Sequence, residues 1–386
     1  MVTSDLPPYA FGGVGSFVYE LTNQLKKEDI ELTIISGSNG PSTLSREGNV
    51  TNVQVHVYQA PPRDVWFQLK SYKIIESFAK NVDVIHLQSL SSSLFIDKIR
   101  KSSGKPILLT NHGEPLHCFR ETLRPNLDSL TLDEFRTYTL SLPIYMAFNV
   151  LDMLRTDCIV AVANHLLEDL KKLYGHSIMR KGIVIPNGLD VEKLTPRNGS
   201  SPIRGEKRIA FVGRLLRLKG IMYLLDAFLI LSKRQCNANV TLDIYGRGPL
   251  EKKVRQYIEK NGLVRQANVH GKIPREDLLK ELANSTLFVL PSSYEACPVS
   301  LLEAMALEKP VITSDKPWSR EFVEDGINGF RVDVEDPIHF ADIIENTVSD
   351  RDLREKLGGN ARHTVVMKYA IQDIARQYLQ VYKKLS

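Results

Sequence analysis

Short apolar runs of strand length alternate with segments of helical periodicity along the whole chain. "LTIIS" (32–36), "VQVHVY" (53–58), "VDVIHL" (82–87), "PILLTNH" (106–112), "CIVAVA" (158–163) and "GIVIPNG" (182–188) form one series. "RIAFVG" (208–213), "VTLDIYG" (240–246), "ANVHGKI" (267–273), "TLFVLPS" (286–292), "KPVITS" (309–314) and "GFRVD" (329–333) form a second. A strand that reads Val/Ile/Leu without alternation is covered on both faces, and strands separated by helices return in the same direction. The pattern therefore demands α/β domains built on doubly wound parallel sheets. A chain of 386 residues exceeds one hydrophobic core, and two domains of roughly 150 to 200 residues are expected. The break falls where Pro, Gly, Ser and Asn gather, in "PNGLDVEKLTPRNGSSPIRGEK" (186–207). That divides the chain into 1–188 and 189–366. The closing stretch "VMKYAIQDIARQYLQVYKKLS" (366–386) has helical spacing that fits either domain.

Composition narrows the partners. Net charge is +5 and no long block of like charge occurs, so charge alone argues for neither nucleic acid nor a membrane; an anionic small ligand is compatible with it. The four cysteines, Cys118, Cys158, Cys236 and Cys297, make no C-x-x-C pair and no zinc-binding spacing. They fit a reducing cytoplasm. No run of 18 apolar residues is present, and the first residues lack the basic and apolar regions of a signal peptide, so a cytoplasmic protein is expected. The first strand has only about four residues before Pro7-Pro8 ends it.

Ligands of open α/β sheets bind beyond the carboxyl ends of the strands, so the loops there are the places to search for chemistry. "FGGVGSFVYELTNQLKK" (11–27) runs from a glycine turn into an amphipathic helix whose free N–H groups suit an anion, and equally fits a tight turn with no ligand. It fails as G-x-G-x-x-G. "FVGRLLRLKGIMYLLDAF" (211–228) places Arg214 and Lys219 in such a loop, where a guanidinium and an ammonium can hold a diphosphate, or else remain solvated surface cations. "DIYGRGPLEKKV" (243–254) reads as a structural turn. His112 ends an apolar strand in "LLTNHGEP", a position open to function, although a lone histidine is more often structural.

"PSSYEACPVSLLEAMA" (291–306) carries two acids around a proline. Pro298 is favoured at the first helical position, which places Glu295 outside the helix and Glu303 inside it, roughly 7 to 8 Å further along the axis. That separation suits two ends of one elongated ligand better than an acid/base pair acting on one bond. Carboxylates accept from sugar hydroxyls while helix N–H groups face phosphate. A dipole-complementing acid and an exposed helical glutamate is the plainer alternative.

Taken in order, "PPYAFGGVGSFVYEL", "LTNHG", "IPNGLD", "FVGRLLRLKG", "YGRGPLE", the segment "VHGKIPREDLLKELANSTLFVLPSSYEACPVSLLEAMALEKPVI", "GINGF" and the Tyr-rich terminal helix cover nearly the whole chain. Together they resemble the large retaining glycosyltransferase family with a Glu-x7-Glu motif, family 4 or group 1. The resemblance implies the GT-B fold, two Rossmann-like domains with an interdomain cleft, and a terminal helix, 367–386, that returns to the first domain. It implies a nucleotide-sugar donor (UDP-, GDP- or ADP-linked) and a carbohydrate or lipid-linked acceptor. By matched position, Gly12 and Gly13 would approach the donor phosphates and Arg214 and Lys219 would neutralise them. Glu303 would take the ribose hydroxyls and Glu295 the transferred sugar, with Cys297, Pro298 and Val299 lining the donor. Ile273 would bind the base through its backbone, and His112 would lie beside the sugar.

The implied reaction is hexosyl transfer with retention of configuration, needing no cofactor and no metal site. Ala296 and Cys297 stand where relatives commonly carry Gly and an aromatic residue, so the sugar is not legible from that segment. Residues 114–156, with "LSLPIYMAFNVLDML", fit either a core helix or a surface that meets a lipid-linked acceptor at a membrane. A nucleotide-sugar epimerase and a non-catalytic sugar-nucleotide-binding protein are the rival readings. Neither accounts for "FVGRLLRLKG" together with both glutamates.

Overall fold

In a computed structural model the described residues are 1–7, 12–58, 63–89, 91–113, 142–196, 207–234 and 239–386. Cys118, Cys236, residues 114–141 of the expected acceptor segment and 197–206 of the expected linker lie outside them. Among the described residues the chain divides into two compact units, one of residues up to Leu189 together with Ile371–Ser386, the other of Asp190–Ala370.

The first unit is built on an eight-stranded sheet in the order β3-β4-β2-β1-β5-β6-β7-β8. Its strands are β1 (Val2–Thr3), β2 (Leu32–Ser38), β3 (Thr43–Glu47), β4 (Val50–His56), β5 (Ile85–Gln88), β6 (Ile107–Asn111), β7 (Cys158–Ala161) and β8 (Gly182–Val184). All pairings are parallel except that of β3 with β4. β3 was invisible to the apolar pattern because every residue of "TLSRE" is exposed. It forms a hairpin through Gly48-Asn49, where Gly48 takes φ +57°, a left-handed conformation that glycine adopts without a Cβ clash. β1 is shorter than expected, two residues held between β2 and β5.

Against this sheet pack the helix Gly13–Leu25 and the terminal helix Ile371–Leu385. Phe17, Val18, Leu21 and Leu25 of the one meet Ile371, Ile374, Ala375 and Tyr378 of the other over Leu32, Ile34, Leu108 and Val160. This is the amphipathic stripe legible at 11–27, completed by residues from the far end of the chain. The helix Leu142–Arg155 buries Phe148, Asn149, Asp152 and Met153 but leaves Ile144, Val150 and Leu154 exposed, so it lies at the surface rather than as a core helix. No described helix is long and apolar enough to cross a membrane.

The second unit has an entirely parallel six-stranded sheet, β11-β10-β9-β12-β13-β14. The strands are β9 (Lys207–Val212), β10 (Val240–Tyr245), β11 (Ala267–Gly271), β12 (Leu287–Leu290), β13 (Val311–Ser314) and β14 (Phe330–Val332). Chain order runs outward from β9 on one side and from β12 on the other, so the switch point lies between these two neighbours. Crevices for ligands open at such a point.

The terminal helix is integral to the first core. Ile374 is fully buried, and Ile374→Ala is expected to lower unfolding free energy by about 2–5 kcal/mol through lost burial and an unfilled cavity. Urea denaturation followed by circular dichroism measures it.

Candidate active site

The loops leaving β9 and β12 are held together by close backbone approach. Gly220, at φ +67°, lies so near the β12 loop that a Cβ there would stand 2.0 Å from the carbonyl oxygen of Pro291. Ser293 N–H donates to Leu218 O at 2.8 Å across the same junction. On the other side, a Cβ on Gly246 would meet Gly213 O at 1.9 Å, and Leu215 N–H donates to Arg247 O at 3.0 Å. The glycines of "YGRGPLE" thus act as contact points for the cation-bearing loop, which is the structural role read from the sequence.

This stitching brings Lys219 to Glu295. The ammonium donates to both carboxylate oxygens, at 2.5 and 2.7 Å, and Ser292 Oγ donates to Oε1 at 2.6 Å. Glu295 is 8% exposed. A carboxylate taken so far out of water needs such partners, because an unpaired buried charge is costly. Ser292 is itself fixed, its carbonyl accepting from Trp318 Nε1 at 3.0 Å and from Ser314 Oγ. Arg214, by contrast, is exposed and makes no side-chain hydrogen bond or ion pair among the described residues. Of Arg214 and Lys219, Lys219 is matched by Glu295, while Arg214 has no carboxylate partner among the described residues.

Glu303 has a separate partner. It sits in the helix Val299–Ala306, 4% exposed, and receives Arg275 through Nε at 3.1 Å and Nη2 at 3.0 Å. Arg275 opens the helix Arg275–Ala283, two residues after Ile273. The ion pair therefore ties the loop that carries Ile273 to the helix that carries Glu303. Cys297 and Val299 are buried as well. Pro298 stands one position earlier than expected, as the residue preceding the first helical turn, with φ −75° and ψ 103°. The shift is small: proline's fixed φ serves either place.

In the first unit Gly12 precedes the helix that Gly13 begins, and a Cβ on Gly12 would meet nothing within 4 Å. His112 follows β6 and its ring is held by Gln88 at the end of β5, with Nε2 2.7 Å from Oε1. Its backbone N–H donates to Ser89 Oγ at 2.9 Å, and its ring lies edge-to-face with Phe17, centroids 5.8 Å apart. Burial pushes its pKa down to about 3, and His86 behind it is also held well below the usual histidine range, chiefly by burial. Both rings are neutral at pH 7.

The structure joins Lys219 to Glu295, and Ile273's loop to Glu303, within the second unit; Gly12, Gly13 and His112 belong to the first. Sequence reasoning missed Ser292, Arg275 and Gln88. Only Gln88 had a usable signal, since it ends a strand beside the one that delivers His112. Among the described residues no group of three or more His, Cys, Asp and Glu could hold a metal ion.

Comparisons with known proteins agree with this architecture. The family described as Glycosyl transferases group 1 matches residues 196–364, and Glycosyltransferase Family 4 matches residues 11–193. The two matches take in most of both units, and the chain belongs to the glycosyltransferases of family 4, group 1. An uncharacterized glycosyltransferase of Methanocaldococcus jannaschii is 34% identical over 198 residues, covering 50% of this chain and 48% of the relative. The chain thus spans about half the length of that relative. Sucrose-phosphate synthase from Thermosynechococcus elongatus superposes with a TM-score of 0.80 at 19% identity, covering 99% of this chain and 96% of its own. HepE of Anabaena, solved in complex with UDP-glucose, gives a TM-score of 0.71 at 17% identity over 99% of this chain and 98% of its own. With the two parallel sheets, these likenesses establish the GT-B fold.

The neutral histidines set an acid limit on stability. Above about pH 6.5 folded and unfolded His112 are both neutral and contribute no pH dependence. Below it the unfolded chain binds a proton that the folded ring refuses until about pH 3. At pH 5 this costs on the order of 2 kcal/mol for His112. Denaturation midpoints are expected to fall between pH 7 and pH 5, and His112→Gln to flatten that slope.

Proposed function

We propose that this chain moves a hexosyl group from a nucleoside-diphosphate sugar to an acceptor hydroxyl on a carbohydrate or lipid-linked molecule, with retention of configuration. One observation carries the reading. At the switch point of the second sheet, the matched pair Lys219–Glu295 stands in the same stitched loops as the exposed Arg214. That is a site with an exposed guanidinium for a diphosphate and a carboxylate for hydroxyls.

In this reading Arg214 and Lys219 hold the diphosphate, and Lys219 divides its donors between phosphate and Glu295. Glu303, paired with and aimed by Arg275, accepts from the ribose hydroxyls, and the backbone of Ile273 meets the base. Glu295 accepts from the transferred sugar, with Cys297, Pro298 and Val299 walling the donor. Gly12 and Gly13 offer open backbone to an anion, and His112 serves the sugar. The bond from the anomeric carbon to the phosphate oxygen breaks as the bond to the acceptor oxygen forms on the same face. The acceptor's proton passes to the leaving phosphate, so no side chain need serve as general base. The cations stabilise the charge that develops on the leaving group. HepE, a structural neighbour solved with UDP-glucose, supports a nucleotide sugar as the donor class.

Thermal shift across UDP-, GDP- and ADP-hexoses is expected to identify one stabilising donor, since a ligand that binds only the folded state raises its stability. Nucleoside diphosphate release from that donor should fall by about 10²–10³ in Arg214→Ala and in Lys219→Ala, the scale of losing a charge stabiliser at the leaving group. Unchanged release in both variants and in Glu295→Ala would overturn the site. An epimerised sugar in the absence of acceptor would overturn the reaction.

Metal removal supplies an independent check. The cations are assigned the work that a divalent ion does in other transferases, so release is expected to be unaffected by EDTA. Loss of activity restored by added Mg²⁺ or Mn²⁺ would overturn that assignment.

A further inference from the structure

Behind His112 runs a chain of buried hydrogen bonds whose polarity can be read atom by atom. Gln88 Oε1 lies 2.7 Å from His112 Nε2, and Gln88 Nε2 lies 3.1 Å from His86 Nε2. A carboxamide oxygen can only accept and a carboxamide nitrogen only donate. With Gln88 so oriented, His112 carries its proton on Nε2, while His86 Nε2 is an acceptor and its proton is on Nδ1. That Nδ1 donates to the Tyr382 hydroxyl at 2.7 Å. Thr110 Oγ1, 2.8 Å from His86 Nε2, donates to the same acceptor and receives the Tyr378 hydroxyl at 3.0 Å. Tyr378 also stacks on the His86 ring, centroids 5.3 Å apart. His86, Gln88, Thr110 and Tyr378 are each at most 3% exposed.

The other nitrogen of His112 is left over. Nδ1 is shielded from solvent yet has no hydrogen-bond partner among the described residues. Leaving a buried acceptor without a partner is unfavourable, and a purely structural histidine would have no reason to keep it so. The relay would satisfy a structural need at Nε2 alone. The free Nδ1 lone pair, on a ring locked by Gln88 on one side and Phe17 on another, points to a ligand donor.

We propose that Gln88, His86, Thr110, Tyr378 and Tyr382 are positioning residues for sugar transfer: they hold His112 as its Nε2–H tautomer, so that Nδ1 is offered as acceptor to a hydroxyl of the transferred sugar. This rests on the transferase reading. It also gives the returning terminal helix a second task besides filling the core, since both tyrosines belong to it.

The test has a readout that does not depend on turnover. In the full chain labelled with ¹⁵N-histidine, two-bond ¹H–¹⁵N correlation spectra report which ring nitrogen is protonated. His112 is expected to be protonated at Nε2 and bare at Nδ1 at pH 7.5. Gln88→Met, close in size but without an acceptor, should lose that preference, and Tyr382→Phe should weaken it while both variants keep the wild-type circular dichroism spectrum. Nucleoside diphosphate release from UDP-glucose, GDP-mannose and ADP-glucose is measured alongside. In Gln88→Met kcat should fall about tenfold, the loss of one hydrogen bond to the reacting sugar, with donor KM changed less than about threefold. A wild-type His112 protonated at Nδ1, or a Gln88→Met protein with altered tautomer and unchanged kcat, would overturn the inference and leave the transferase reading standing. A folded wild type that turns over none of the three donors would instead overturn the transferase reading, and this inference with it.

Discussion

The close approach of Gly220 to Pro291 is the constraint on which the candidate site depends. Two strands adjacent at the switch point, β9 and β12, must deliver their loops to the same place, and only a residue without a Cβ lets the backbones meet. Once they do, the six residues from Arg214 to Lys219 have little freedom, and Lys219 arrives within hydrogen-bond distance of Glu295. The ion pair follows from the backbone packing. Its partners then explain one another: Glu295 can be buried because Lys219 and Ser292 are there, and Ser292 is there because Trp318 and Ser314 hold its carbonyl.

Electrostatically the second unit is prepared rather than saturated. Glu303 is paired with Arg275 and Glu295 with Lys219, so both buried carboxylates face a cation. Arg214 remains hydrated at the surface, where its charge costs little. An anion binding beside both Arg214 and Lys219 would have to compete with Glu295 for the ammonium. That competition limits how tightly stray phosphate or sulfate can hold, because an anion lacking hydroxyls offers Glu295 no replacement for the donors it gives up.

The fold was legible because parallel strands buried on both faces leave continuous apolar runs, and β2, β6, β7, β9, β10 and β12 all announce themselves so. β3 did not, since an exposed edge strand has no core to write its pattern. For the site, the loops were legible and the pairings were not. Arg214 and Lys219 are conspicuous in a βα loop, but Lys219 finds its acid 76 residues away and His86 finds Tyr382 296 residues away. Local spacing holds no record of such partners. Pro298 illustrates the finer limit: sequence placed it at the right helix end and missed its position by one residue, because proline's φ suits both. His112 is marked by its strand-end place, whereas Gln88, which holds its ring, is marked only by ending the neighbouring strand.

The terminal helix has a consequence for how the chain is made. Residues 371–386 complete a core begun by Phe17 and Leu21, yet they leave the ribosome only after every residue of the second unit. Synthesis is vectorial and domains fold as units once their residues are available. The second unit is therefore whole before the first can close, and until then the apolar face of the helix Gly13–Leu25 lacks its cover. A pause or truncation within the terminal helix would leave a finished second unit joined to an open first unit with exposed core, the kind of surface that chaperones and proteases recognise.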